Sequence, residues 1–145
     1  MKILTVDDSR MIRMIIINTL KSLGYEALEA ANADKALEVL EEKSSEINLI
    51  LLDWNMPGMN GYDLLKIIKS SDRFKHIPVM MVTTEGERKN VIKAIQSGAD
   101  NYLTKPFTPE DLSIKILECL GLSGVNDSSE NQEDLPSLDM DDFEL

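Results

Sequence analysis

Leu49-Ile50-Leu51-Leu52 is the segment that most limits what this chain can fold into. Four aliphatic residues in a row leave no side for solvent, so a strand over Asn48 to Asp53 must be covered on both faces. Such a strand belongs in a layered structure, with helices above and below a sheet. The flanking sequence supplies both parts. Lys2 to Val6, Tyr25 to Glu29, Val79 to Thr83 and Asn101 to Thr104 are further short strand-like runs. Between them the apolar residues take helical spacing. Ser9 to Leu23 places Ile12, Ile15, Ile16, Leu20 and Leu23 on one face, and a segment capped by Asn32 does the same with Ala36, Leu37 and Leu40. Tyr62 to Ser70 and Glu87 to Ser97 follow, and Thr108-Pro109-Glu110-Asp111 opens a last helix with an N-cap, a first-turn proline and two acids. Five strands alternating with five helices predict an α/β fold: a parallel sheet with right-handed crossovers and helices on both faces. Five units favour the flavodoxin-like version, in which ligands bind at the carboxyl ends of the strands.

Those ends carry chemistry. The first strand ends in Asp7-Asp8, the third in Asp53, the fourth in Thr83, and the fifth runs into Lys105-Pro106. All four open on one rim of the sheet. Three carboxylates in one pocket repel each other unless a cation intervenes, and an all-oxygen set suits Mg²⁺, which keeps several waters beside one or two carboxylates. Asp8 and Asp53, with Asp7 through a water, read as that site. A carboxylate beside Mg²⁺ can itself be a nucleophile and form an aspartyl-phosphate. The Lys105 ammonium and the Thr83 hydroxyl would neutralise and bind the phosphoryl oxygens. Asp53, on the central strand, is the candidate nucleophile.

Charge divides the chain in two. Its net charge is −11, and residues 122–145 hold eight acids and no base. Residues 1–121 are nearly balanced, 18 acids against 15 bases, and form the predicted domain. This balance argues against general nucleic-acid binding and against a polybasic membrane surface. No apolar run approaches the roughly 20 residues of a spanning helix. One cysteine, Cys119, and one histidine, His76, leave no internal disulfide and no Cys- or His-based metal site. The expectation is a soluble, cytoplasmic, reduced protein with no signal peptide.

In order along the chain, Val6-Asp7-Asp8-Ser9, Asp53-Trp54-Asn55-Met56-Pro57, Gly61, Met81-Val82-Thr83 and Lys105-Pro106-Phe107 closely resemble the receiver domains of two-component response regulators. The stretches after Asp53 and Lys105 look specifically like the single-domain chemotaxis branch. The resemblance covers about residues 2–121 and implies the strand order 2-1-3-4-5, which the sequence pattern alone does not give. It implies that Asp53 accepts phosphate from a histidine kinase, and that Asp7, Asp8, Asp53 and the backbone carbonyl of Asn55 hold Mg²⁺. Lys105 would contact the phosphate across a cis Lys105-Pro106 bond. Thr83 would swing toward the phosphate and Tyr102 would turn inward as the switch residue. The output surface would be the fourth helix, fifth strand and fifth helix, acting on a flagellar motor switch protein. Asn55 and Glu85 occupy the positions that set phosphate lifetime, and the pair implies fast self-dephosphorylation. Such a protein is a likeness of a monomeric switch, served in some cases by a phosphatase, and not a conventional turnover enzyme. The alternative use of the same domain is a phosphorelay or phosphate sink with a non-motor partner.

Rival readings fit less well. A haloacid-type phosphohydrolase would want a second Asp where Asn55 stands, and a flavin carrier would place a phosphate where Asp7-Asp8 repel it. The acidic tail of 122–145 is too short for a helix-turn-helix domain. Its last eleven residues interleave acids with Leu135, Leu138, Met140, Phe143 and Leu145, a pattern that suits a short peptide ordering on a partner or on its own domain. The fourth helix, with Arg88, Lys89 and Lys93, is the expected landing place.

Overall fold

The computed structural model describes residues 1–121; the acidic tail of 122–145, and the domain boundary drawn before it, lie outside or at the edge of the described residues. Five strands, β1 (Lys2–Val6), β2 (Glu26–Ala30), β3 (Ile47–Leu52), β4 (Val79–Thr83) and β5 (Asn101–Thr104), form one parallel sheet in the order β2-β1-β3-β4-β5. Five helices connect and follow them: α1 (Arg10–Ser22), α2 (Ala33–Lys43), α3 (Gly61–Ser70), α4 (Arg88–Gln96) and α5 (Pro109–Leu120). The flavodoxin-like architecture and its strand order are as the resemblance implies.

The period-2 alternation of strands divides the aliphatic runs between two cores. Leu49 and Leu51 of β3, Ile3 of β1 and Met80 and Val82 of β4 pack with Ile16 and Leu20 of α1 and Leu112 and Ile116 of α5. Ile50 and Leu52, with Leu4, Val6 and Met81, pack with Ala36 and Leu40 of α2, Leu64, Leu65 and Ile68 of α3, and Ala94 of α4. Most of these side chains are fully buried. Each Leu, Ile, Val or Met among them contributes roughly 1.5–3 kcal/mol of transfer free energy, which is why a continuous aliphatic run is needed on the central strand.

The helix signals work as their chemistry requires. Ser9, Asn32, Asn60 and Thr108 accept hydrogen bonds from backbone N–H groups of the first turns of α1, α2, α3 and α5. Thr108 and Asp111 complete a reciprocal capping box. Gly98 ends α4 at φ 111°, which a side chain would resist.

Three details depart from expectation, the first being that β3 covers Ile47–Leu52 rather than Asn48 to Asp53, with Ile47 paired to Lys2. β2 begins at Glu26 rather than Tyr25, because its register is set by pairing Lys2 with Glu26, and Tyr25 packs beneath the sheet instead. On α1, Ile15 is 41% exposed and Thr19 is buried in its place. The Thr19 hydroxyl donates to the Ile15 carbonyl at 3.0 Å, so this polar residue enters the core with its hydrogen bond made.

Candidate functional site

The sheet ladder continues one step past the strands and lines up the functional residues. Asp7 N–H donates to the Ala30 carbonyl (3.1 Å), Asp53 N–H to the Val6 carbonyl (3.0 Å) and Lys105 N–H to the Thr83 carbonyl (2.8 Å). The three side chains that follow β1, β3 and β5 therefore stand side by side on the carboxyl rim. Carboxylate oxygens of Asp7, Asp8 and Asp53 lie within 4.8 Å of one another. Asp7 and Asp53 are buried, and Asp8 is exposed at the mouth.

One ammonium answers two of the three carboxylates. Lys105 Nζ is 2.7 Å from Asp7 Oδ2 and 3.3 Å from Asp53 Oδ2. The other Asp7 oxygen accepts the Ser9 N–H at 2.8 Å, so Asp7 is held in one orientation. Asp53 Oδ1 accepts only a longer bond, 3.3 Å, from the Asn55 N–H. Burial pushes the Asp53 carboxyl above its ordinary range; the Thr83 hydroxyl, Lys105 and the Asn55 N–H pull it down, while Asp7 adds to the rise. A surplus of negative charge on an all-oxygen donor set fits a hard divalent cation. The lysine–proline bond beside the site is cis, as the resemblance implies.

Thr83 is fully buried, and its hydroxyl accepts the Glu85 N–H at 3.2 Å. Tyr102 is half-buried against the α2–α4 core, and its hydroxyl donates to the Glu85 carbonyl. Burial, then the charges of Glu85 and Asp53, push its phenol up. The Glu85 carboxylate is engaged elsewhere, accepting the Asn90 amide at 2.7 Å. Asn55 is exposed. The structure thus brings Asp7, Asp8, Asp53 and Lys105 into one cluster. It places Thr83, Glu85 and Tyr102 in a connected chain beside it.

Some contributors escape sequence reasoning. Arg13 of α1 donates to the Asp7 carbonyl (2.7 Å) and to Glu29 (2.7 Å), bracing the end of β1. Its signal is faint: a cation three residues before Ile16 on the buried side of the helix. Trp54 stacks on Tyr62, ring centroids 5.0 Å apart, and the Tyr62 hydroxyl is 2.9 Å from Ser97 Oγ after α4. Gly61 has a strict steric cause. A Cβ there would lie 1.8 Å from the Asp53 carbonyl oxygen, so α3 can start where it does only with glycine. His76 is exposed, and Met56, Met80 and Met81 are packing residues.

Residues 3–117 match the family model of the response regulator receiver domain. The chain is 49% identical over 122 residues to chemotaxis protein CheY1 of Helicobacter pylori, covering 83% of this chain and 98% of that one. It is 41% identical over 131 residues to the chemotaxis protein CheY homolog of Campylobacter jejuni, covering 90% of this chain and all of that one. Among solved structures, CheY4 of Vibrio cholerae superposes with a TM-score of 0.76 at 34% identity, over 82% of this chain and 98% of that one. Fold, rim and relatives agree: this chain belongs to the response regulator receiver family and carries a receiver domain of the CheY chemotaxis type.

Proposed function

We propose that the protein is a phosphorylation-activated switch that accepts a phosphoryl group on Asp53 from a histidine kinase and signals to a flagellar motor switch protein. The observation that carries this reading is the placement of Asp53 between Asp7 and Lys105 on the central strand end. In the transfer an Asp53 carboxylate oxygen attacks phosphorus, the phosphorus–nitrogen bond to the donor imidazole breaks, and the imidazole leaves with the bonding pair. Lys105, already within reach of Asp53, swings its ammonium to a phosphoryl oxygen. The Thr83 hydroxyl exchanges its bond with the Glu85 N–H for one to the phosphoryl group. That exchange loosens the Glu85 turn to which Tyr102 is bonded, which carries the change to α4 and β5.

Asp7, Asp8 and Asp53, with the Asn55 carbonyl, would hold Mg²⁺. Bound there, the ion supplies neutralisation of phosphoryl charge. In this reading the protein catalyses its own phosphorylation and dephosphorylation, acts as a monomer, and works in the cytoplasm beside its kinase.

Trp54, the only tryptophan, adjoins Asp53 and reports on it. Its emission is expected to change with Mg²⁺ and again with acetyl phosphate, and Asp53→Asn should abolish the second change alone. A flat response in both steps overturns the reading. A deletion strain that still reverses its flagella normally would reassign the output to a phosphate sink.

A further inference from the structure

The helix α1 presents an apolar face that nothing among the described residues covers. Met11 is 70% exposed, Met14 54% and Ile15 41%, at i, i+3 and i+4 on one side of the helix. No acid lies in α1. Arg13 is taken by Glu29 and the Asp7 carbonyl, while Arg10 and Lys21, which flank the apolar face, form no ion pair among the described residues. We propose that this face is the docking surface for the chain's own acidic C-terminal segment, residues 135–145.

The segment is complementary in both respects. Leu135, Leu138, Met140, Phe143 and Leu145 offer apolar side chains, and Asp139, Asp141, Asp142 and Glu144 offer charge opposite to Arg10 and Lys21. Reach is sufficient. Gly121, the last of the described residues, lies just past α5, and α5 packs directly on α1 in the same layer. The thirteen residues 122–134 can span up to about 45 Å, against an α1 length of about 20 Å. A tether of this size gives an effective concentration in the millimolar range, so a contact too weak between separate molecules is populated within one chain.

Other surfaces and occupants fit less well. On α4, which its basic residues make the expected site, Lys93 lies over the Tyr62 ring and Lys89 lies 4.0 Å from Glu87, so Arg88 is its one cation with neither an ion pair nor a ring contact among the described residues. Its one large exposed apolar residue, Ile95, is only 36% exposed. The exposed face of α5 carries Glu110, Asp111 and Glu118, which repel an acidic segment. A second copy meeting α1 through its own α1 would set three cations against three, with no acid from either helix.

The test uses the full chain, labelled at methionine and isoleucine methyl groups, compared by NMR with a Leu138→Asp/Phe143→Asp variant. The Met11, Met14 and Ile15 signals are expected to shift between the two proteins, while those of the buried Met80 and Met81 stay in place. Reciprocally, Met11→Ser/Met14→Ser should move the Met140 signal. No shift on α1 overturns the proposal. So does a shift confined to Ile92 and Ile95, which would assign the segment to α4. Shifts that grow with protein concentration would assign the face to a second copy and overturn it equally.

Discussion

Lys105 lies closer to Asp7 than to Asp53, 2.7 Å against 3.3 Å, although Asp53 stands at the centre of the cluster. Both acids are almost wholly shielded from water, and the Lys105 side chain is 11% exposed. Replacing Lys105 by Met leaves the buried acids without an ion-paired cation among the described residues. The expected loss of stability at neutral pH, by urea unfolding in EDTA, is about 3 kcal/mol. The rate of phosphorylation by acetyl phosphate should fall about 100-fold, the usual effect of losing one donor to developing oxyanion charge.

Asp53→Asn should act in the opposite direction on stability. Burial raises the folded Asp53 carboxyl above its unfolded value, so the folded state holds that proton more tightly. Stability linked to it is fully present below the unfolded value, about 4, and is lost as pH rises through the folded value. The variant escapes this loss. It should be more stable than the parent at pH 7 in EDTA, with the gap closing as pH approaches 4. Saturating Mg²⁺ should reverse the order by stabilising the parent more, by about 2.7 kcal/mol at a hundredfold excess over its dissociation constant.

Gly61→Ala tests the contact between α3 and the site. The added carbon meets the Asp53 carbonyl oxygen at 1.8 Å, and backbone cannot rotate away as a side chain would. A loss of about 3 kcal/mol or more is expected in chemical unfolding. The Trp54 response to Mg²⁺ should change with it, since Gly61 N–H donates to the Trp54 carbonyl at 2.7 Å.

Cys119 is a packed thiol, which burial, followed by the charges of Asp100 and Glu118, pushes up to about 12. Alkylation at pH 8 should be about a thousandfold slower in the native protein than in urea, as the thiolate is scarce. Because the folded thiol keeps its proton longer, stability linked to it is complete below the ordinary thiol range. It then declines with rising pH, by about 1.4 kcal/mol per unit, until the folded value is reached. Unfolding midpoints measured from pH 8 to 11 check the slope.

In the proposed reading, Asn55 and Glu85 bear on the lifetime of the phosphorylated form. The proposed reading expects loss of the phosphoryl group within minutes in purified protein. Because the Glu85 carboxylate is held by Asn90 at 2.7 Å, Asn90→Ala should alter that rate along with Glu85→Ala. A lifetime of hours in the parent protein would contradict the expectation.

The rim was legible in the sequence because strand ends are local events. A run of aliphatic residues that stops on a charge marks both the strand and the place where its last side chain points. β2 shifted by a residue for the opposite reason. It is an edge strand with only Ala30 fully buried, so its start follows pairing with β1 rather than its own pattern. Ile15 and Thr19 exchanged roles because the buried stripe of α1 is fixed by α5 on one side, which helical spacing alone cannot see. Arg13, the Trp54–Tyr62 stack and its link to Ser97 join residues from separate elements, and no single segment announces them.

The order of the sheet has a consequence for how the protein is made. Asp7, Asp8 and Asp53 belong to the first half of the chain, while Lys105 follows the last strand, 98 residues after Asp7. A chain emerging from the ribosome therefore assembles its three acids before their counter-ion exists. Until β5 closes the edge, those acids resist the approach of β1 to β3 in the absence of Mg²⁺. The lysine arrives as a late latch, so the same charge imbalance that fits the finished pocket to a divalent cation also disfavours an unfinished one.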